Sequence, residues 1–186
     1  MNNNFEVVIY TDGACSGNPG VGGWGTIITL GDYFKEFSGA EPIATNNRME
    51  LLAVIKGLSA LKQPVSVKLY SDSAYVVNAF ELKWIDGWQQ NKWKNASGDA
   101  VKNRDLWQEL LELTKKHNVQ FIKVKGHADN ELNNRCDSLA TTAIKEYIAA
   151  HPEIAEMQKE ASKQEENKQK ITKKEFDSLV GDVGEE

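Results

Sequence analysis

The chain has 186 residues, 40% of them hydrophobic and 26% charged, about one ordinary domain with material for a proper core. It has no run near the roughly 18 apolar residues of a membrane span and no secretory pattern at Met1 to Asn4. Its two cysteines lack CxxC or CxxH spacing, so a membrane protein, a stapled secreted domain and a structural zinc protein are excluded, and a reducing cytoplasm is the expected compartment. The net charge of −5 is uneven: residues 1–151 carry 16 Lys+Arg against 17 Asp+Glu, and residues 152–186 carry 6 against 10. An acidic total of this kind does not exclude nucleic acid, because binding depends on local patches.

Phe5 to Tyr10 is β-branched and aromatic and predicts a buried strand that stops in a turn at Thr11-Asp12-Gly13. Gly13, Gly17, Gly20, Gly22 and Gly23, with Pro19, read as a glycine-rich connection. Trp24 to Leu30 and Tyr33 to Ser38 flank Gly31-Asp32, which suits a hairpin. From Asn47 the period becomes helical, with Met49, Leu52, Ala53, Lys56 and Gly57 on one side and Leu51, Ile55, Leu58 and Leu61 beside it, ending before Pro64. Val65 to Tyr70 predicts a strand, Ala74 to Phe80 a short helix and Arg104 to Lys116 an amphipathic helix. Val119 to Val124 predicts another strand and Asn130 to Ala150 a helix. The order predicts an α/β fold, a mixed sheet with helices packed on it. After Pro152 the chain is Glu-, Lys- and Gln-rich with little to bury. Residues 1–150 are read as the domain and 151–186 as a charged appendage, helical or mobile.

Asp12 and Asp72 each follow a predicted strand. Parallel, adjacent strands would bring the two carboxylates together where α/β sheets place their ligands. Glu50 falls in the first turn of the next helix and Asp137 on the last helix of the domain. Carboxylates converging without lysines repel each other unless a cation sits among them, and oxygen-only ligation selects Mg²⁺ or Mn²⁺. Each residue also has an ordinary reading. Asp12 and Asp72 suit turns, Glu50 suits a capping box with Asn47 as N-cap, and Asp137 suits a solvated helix face.

The words around these residues decide between the readings. Thr11-Asp12-Gly13-Ala14-Cys15-Ser16-Gly17-Asn18-Pro19-Gly20, Thr45-Asn46-Asn47-Arg48-Met49-Glu50-Leu51, Tyr70-Ser71-Asp72-Ser73, Val124-Lys125-Gly126-His127-Ala128 and Asn134-Arg135-Cys136-Asp137 stand in this order. Together they resemble the motifs of type 1 ribonucleases H, over roughly residues 5–150. The resemblance implies a ribonuclease H-like fold with a central five-stranded mixed sheet and flanking helices. It also implies a metal-dependent endonuclease for the RNA strand of RNA–DNA hybrids, leaving 5′-phosphate and 3′-hydroxyl ends. Asp12, Glu50, Asp72 and Asp137 match the family's metal-binding carboxylates, and His127 matches the histidine of its mobile loop. The implied cofactor is Mg²⁺, two ions with substrate, replaceable by Mn²⁺.

Lys83 to Asn95 sets Trp84, Trp88 and Trp93 among Lys83, Lys92 and Lys94, and the span 83–104 is net +3. Aromatic rings beside cations suit a nucleic-acid groove, although a tryptophan minicore is the ordinary alternative, above all for Trp107. The stretch resembles the basic protrusion of bacterial family members. Cys15, Asn18, Asn46, Asn47 and Ser73 match positions that contact the RNA strand, whose 2′-hydroxyls distinguish it from DNA. Thr45 and Asn103 match part of a phosphate pocket for the DNA strand. Ile43 stands where an arginine is sometimes found, and Asn134 where some relatives carry Glu. The expected partner is an RNA–DNA hybrid, with no membrane and with the chain as a monomer. Two alternatives are a non-catalytic hybrid-binding module, which would tolerate loss of an acid, and a related nuclease acting on DNA.

Overall fold

The computed structural model describes residues 6–125 and 130–179. It divides into two compact units between Tyr147 and Ile148.

In the first unit, β1 (Val7–Gly17), β2 (Gly20–Leu30) and β3 (Tyr33–Ala44) form an antiparallel meander. Helix α1 (Asn46–Ser59) then carries the chain across to β4 (Ser66–Ser71), which lies parallel to β1, and β5 (Asn118–Lys123) lies parallel to β4. The sheet order is β3-β2-β1-β4-β5, the five-stranded mixed sheet expected. Between β4 and β5 run α2 (Ala74–Glu81), α3 (Trp84–Gln90) and α4 (Arg104–Lys116), and α5 (Glu131–Ala150) follows β5.

The core joins Ile9, Val67 and Leu69 of the sheet to Leu51, Val54, Ile55 and Leu58 of α1. Val76 of α2 and Trp107 and Leu110 of α4 complete it. Trp107 has no exposed surface, the core reading the sequence favoured for it. A long parallel crossover needs such a helix to cover the sheet, and the apolar stripes of α1 and α4 supply the cover.

The first strand does not stop at Asp12. Gly13 to Gly17 pair in register with Trp24 to Gly20, so the glycine-rich connection is mostly strand. The glycines are there because backbone or side chains of neighbouring elements lie against them. A Cβ at Gly23 or Gly25 would collide with the carbonyl oxygens of Ala140 and Cys136 on α5, and one at Gly22 would meet Met49 Sδ at 2.6 Å. Close helix–strand approach thus mimics a loop composition.

The short helix α3 has no clear sequence pattern. Its N-cap, Lys83, is left-handed at φ 56°, and Lys92 and Trp93 beyond it are left-handed too, conformations that bulky side chains rarely adopt.

In the second unit, α6 spans Pro152–Leu179. No helix among the described residues is long and apolar enough to cross a membrane.

Candidate active site

The parallel register pairs Thr11 with Ser71, so Asp12, inside β1, and Asp72, one residue past β4, are carried side by side. Helix α1 starts at an N-cap provided by Thr45, whose hydroxyl accepts the Arg48 N–H at 3.3 Å. The cap is two residues earlier than the capping box centred on Asn47 would require. Glu50 therefore lies in the second turn of α1 rather than the first, and it reaches the strands across Gly13. Ligand oxygens of Asp12, Glu50 and Asp72 all lie within 4.8 Å of one another.

The cluster is electrostatically strained. Asp12 is only 7% exposed. Burial, then the charge of Asp72, pushes its carboxyl up to about 7, with Asp137 adding to the rise. The Gly13 N–H, which donates to Asp12 Oδ1 at 2.8 Å, pulls the other way. Burial first, then Asp12 and Asp72, raises Glu50 well above the ordinary carboxylate range. Glu50 Oε2 is buried and has no hydrogen-bond partner. None of the four acids is ion-paired to a basic side chain among the described residues. A buried acceptor with no donor, inside a set of like charges, is the environment a hard cation relieves. Asp137 stands on α5 outside the three-carboxylate group, but its charge is felt at Asp12. His127 lies outside the described residues.

Asn133 is a site residue that the motifs did not reveal. It is 2% exposed, and its Nδ2 donates to Asp72 Oδ2 at 3.4 Å. Its spacing of four residues from Asp137 on one helix was the available signal, because i and i+4 share a face. The Asn130 side chain caps α5 by accepting the Asn133 N–H at 3.0 Å.

The positions matched to the RNA strand gather around the hairpin of β1 and β2 and the start of α1. Asn18 Oδ1 accepts the Asn46 N–H at 3.2 Å, and Cys15 Sγ donates to the Ala44 carbonyl at 3.2 Å. Asn46 and Asn47 are exposed. Ser73, next to Asp72, caps α2 by accepting the Val76 N–H at 3.3 Å. Cys136, next to Asp137, is buried, which pushes its thiol above the ordinary range.

A second group lies between α1 and α4, where Arg48 forms a two-pronged ion pair with Asp105 and also donates to Asn103 Oδ1. The tryptophans divide by burial. Trp93 and Trp88 pack in series toward Trp107, at ring separations of 6.5 and 5.3 Å, and Arg104 lies over Trp93 at 5.8 Å. Trp84 is exposed, as are Lys92 and Lys94.

Comparison with known proteins agrees with this arrangement. The RNase H family profile matches residues 4–145. A ribonuclease H of Thermoanaerobacter sp. (strain X514) is 58% identical over 153 residues, 82% of this chain and 99% of that protein. One from Chlorobium luteolum is 60% identical over 139 residues, 75% of this chain and 95% of that protein. Among solved structures, LC9-RNase H1, described as a type 1 RNase H with the type 2 active-site motif, superposes with a TM-score of 0.69. It is 31% identical, over 78% of this chain and 74% of that one. LC11-RNase H1 in complex with RNA/DNA hybrid shares the fold at a TM-score of 0.61 and 24% identity, over 76% of this chain and 99% of that one. Sequence and architecture agree over the same span, and the chain belongs to the ribonuclease H family.

Proposed function

We propose that this chain hydrolyses the RNA strand of RNA–DNA hybrids, as a metal-dependent endonuclease leaving 5′-phosphate and 3′-hydroxyl ends. The observation that carries the reading is the partly buried convergence of Asp12, Glu50 and Asp72 without a basic counter-charge among the described residues. A module that only binds its ligand has no use for such repulsion.

The all-oxygen set, with Glu50 Oε2 buried and unpartnered, fits Mg²⁺, with Mn²⁺ as a substitute. Asp12, Glu50, Asp72 and Asp137 would hold it. The bound metal would supply an activated water and charge stabilisation for the leaving oxygen. The protein's own groups prepare the site. The Gly13 N–H fixes Asp12, and the Asn133 amide fixes Asp72. Cys15, Asn18, Asn46, Asn47 and Ser73 are assigned to the RNA strand, where short polar groups suit 2′-hydroxyls. Thr45 and Asn103 are assigned to a phosphate of the DNA strand. His127 is assigned to proton transfer or product release, since imidazole exchanges protons near neutrality. Trp84, backed by Trp88, with Lys92 and Lys94, is assigned to the hybrid's backbone.

Three measurements test these assignments. Cleavage of labelled RNA in a hybrid is expected to require added Mg²⁺ or Mn²⁺ and to vanish in excess chelator. Full turnover without metal would overturn the metal assignment. Replacing both Lys92 and Lys94 by Ala is expected to flatten the dependence of log K on log salt by up to about two. An unchanged slope would leave this face merely solvated. A chain ending at His151 is expected to unfold cooperatively and to cleave at a rate close to that of the full chain. The residues removed carry none of the motifs, and their net charge of −4 repels a polyanion. Loss of cleavage would make the appendage part of the catalytic domain.

A further inference from the structure

Tyr75, at the start of α2, is absent from the motifs above, and its hydroxyl has an unusual hydrogen-bond balance. Trp107 Nε1 donates to Tyr75 Oη at 3.0 Å, and Asn103 Nδ2 donates to it at 3.2 Å. The orientation of the Asn103 amide follows from its other neighbour. Arg48 Nη1 lies 3.4 Å from Asn103 Oδ1. A guanidinium has no acceptor, so the atom facing it must be the oxygen, and the NH₂ group must face Tyr75. Indole N–H is likewise a donor only. Tyr75 Oη therefore receives two donors, and its own proton points away from both. No acceptor for that proton is found among the described residues.

The neighbours have the same bias. Asn103 sits at the N-cap of α4 with φ 55°, yet its side chain does not cap the helix, the usual use of asparagine at that position. The side chain turns instead to Arg48 and Tyr75, leaving one amide hydrogen of Nδ2 uncommitted. Thr45 accepts the Arg48 N–H, so its hydroxyl proton is also available. Arg48 itself is committed to Asp105 at 2.7 and 3.1 Å, and Ile43 stands nearby in the sequence where an arginine is sometimes found. Thr45, Tyr75 and Asn103 are all half-buried rather than sealed from solvent. The result is a connected set of neutral groups with uncommitted protons on Thr45, Tyr75 and Asn103, beside a cation that is already neutralised. Its complement is an acceptor-only oxygen group.

We propose that Tyr75 is a substrate-binding residue whose hydroxyl donates to the same DNA-strand phosphodiester to which Asn103 is assigned. Neutral donors thereby do the work that a free arginine would otherwise do. The inference rests on the hybrid-cleaving reading above.

The test combines Tyr75→Phe with a set of hybrids in which one DNA-strand phosphate at a time is replaced by an uncharged methylphosphonate. Tyr75→Phe keeps the ring, which meets Trp107 edge-on at 5.3 Å. It is expected to weaken hybrid binding about fivefold, the scale of one neutral hydrogen bond, and to leave kcat at saturation unchanged. At one methylphosphonate position wild type should lose affinity and Tyr75→Phe should lose correspondingly less, so that the two effects are not additive. Additive losses at every position, or unchanged binding by Tyr75→Phe, would overturn the proposal and leave Tyr75 a core side chain. Incorporating 3-fluorotyrosine at position 75 gives a second route that does not depend on how well Tyr75→Phe folds. A more acidic phenol donates more strongly, so binding should tighten for the ordinary hybrid and not for the hybrid modified at that one position. Equal effects on both would also overturn the proposal. Wild type failing to cleave any hybrid would instead refute the functional reading on which the proposal stands.

Discussion

Replacing Asp12 by Asn is expected to reduce hybrid cleavage by at least about 10³-fold, more than the loss of a single oxyanion-stabilising donor usually costs, while hybrid binding stays within a few-fold of wild type. The amide keeps the shape of the side chain and can still accept the Gly13 N–H, but it removes the charge of the most buried acid by surface exposure in the cluster. The same change should stabilise the metal-free protein at high pH. The folded-state pKa of Asp12, about 7, lies above its ordinary value of 3.8. Its contribution to stability is therefore fully present below about pH 4 and is lost as pH rises through 7. In chelator at pH 8, Asp12→Asn should melt on the order of 5 °C above wild type, and the gap should close near pH 4. Calorimetry at both pH values, together with single-turnover cleavage, checks the pair of effects. Turnover near wild type would leave Asp12 a structural residue of β1 only.

Replacing Gly13 by Ala is expected to be nearly as damaging, by a different route. A Cβ at this position would overlap the Glu50 backbone nitrogen and come within 2.5 Å of the Met49 carbonyl carbon. Both are atoms of the α1 backbone, so no side chain can rotate out of the way. Relief requires α1 to move off β1, and Glu50 moves with it. Forced contacts of this kind cost roughly 1–3 kcal/mol. A displacement of about 1 Å at a catalytic group costs on the order of 10²-fold in rate. The expected variant is folded, melts several degrees lower and cleaves at least about 10²-fold more slowly. Rates and midpoints equal to wild type would show that Glu50 need not approach the strands so closely.

These two residues also mark how far the sequence could be read. The order of elements was legible because the patterns are strong: Arg104–Lys116 has the boundaries of α4, and the hairpin at Gly31-Asp32 joins β2 to β3. The convergence of Asp12 with Asp72 followed once their strands were parallel and adjacent. Three things were not legible. The extension of β1 to Gly17 was hidden because glycines selected for close packing against α1 and α5 look like a loop. The turn occupied by Glu50 is ambiguous in sequence because Thr45 and Asn47 are both good caps, and only the fold shows that Thr45 is the one used, accepting the Arg48 N–H. Asn133, Tyr75 and Asp105 act through partners between 28 and 61 residues away in sequence. Apart from the i, i+4 spacing of Asn133 from Asp137, no local spacing encodes such contacts.

The reading of this chain as a hybrid-specific ribonuclease depends most directly on strand choice. Three duplexes of one sequence, RNA–DNA hybrid, duplex RNA and duplex DNA, should be presented with Mg²⁺ and each strand labelled in turn. The expected result is internal cleavage of the RNA strand of the hybrid alone, with 5′-phosphate and 3′-hydroxyl ends. Cleavage of duplex DNA at a comparable rate, or binding of the hybrid with no strand cut, would contradict it.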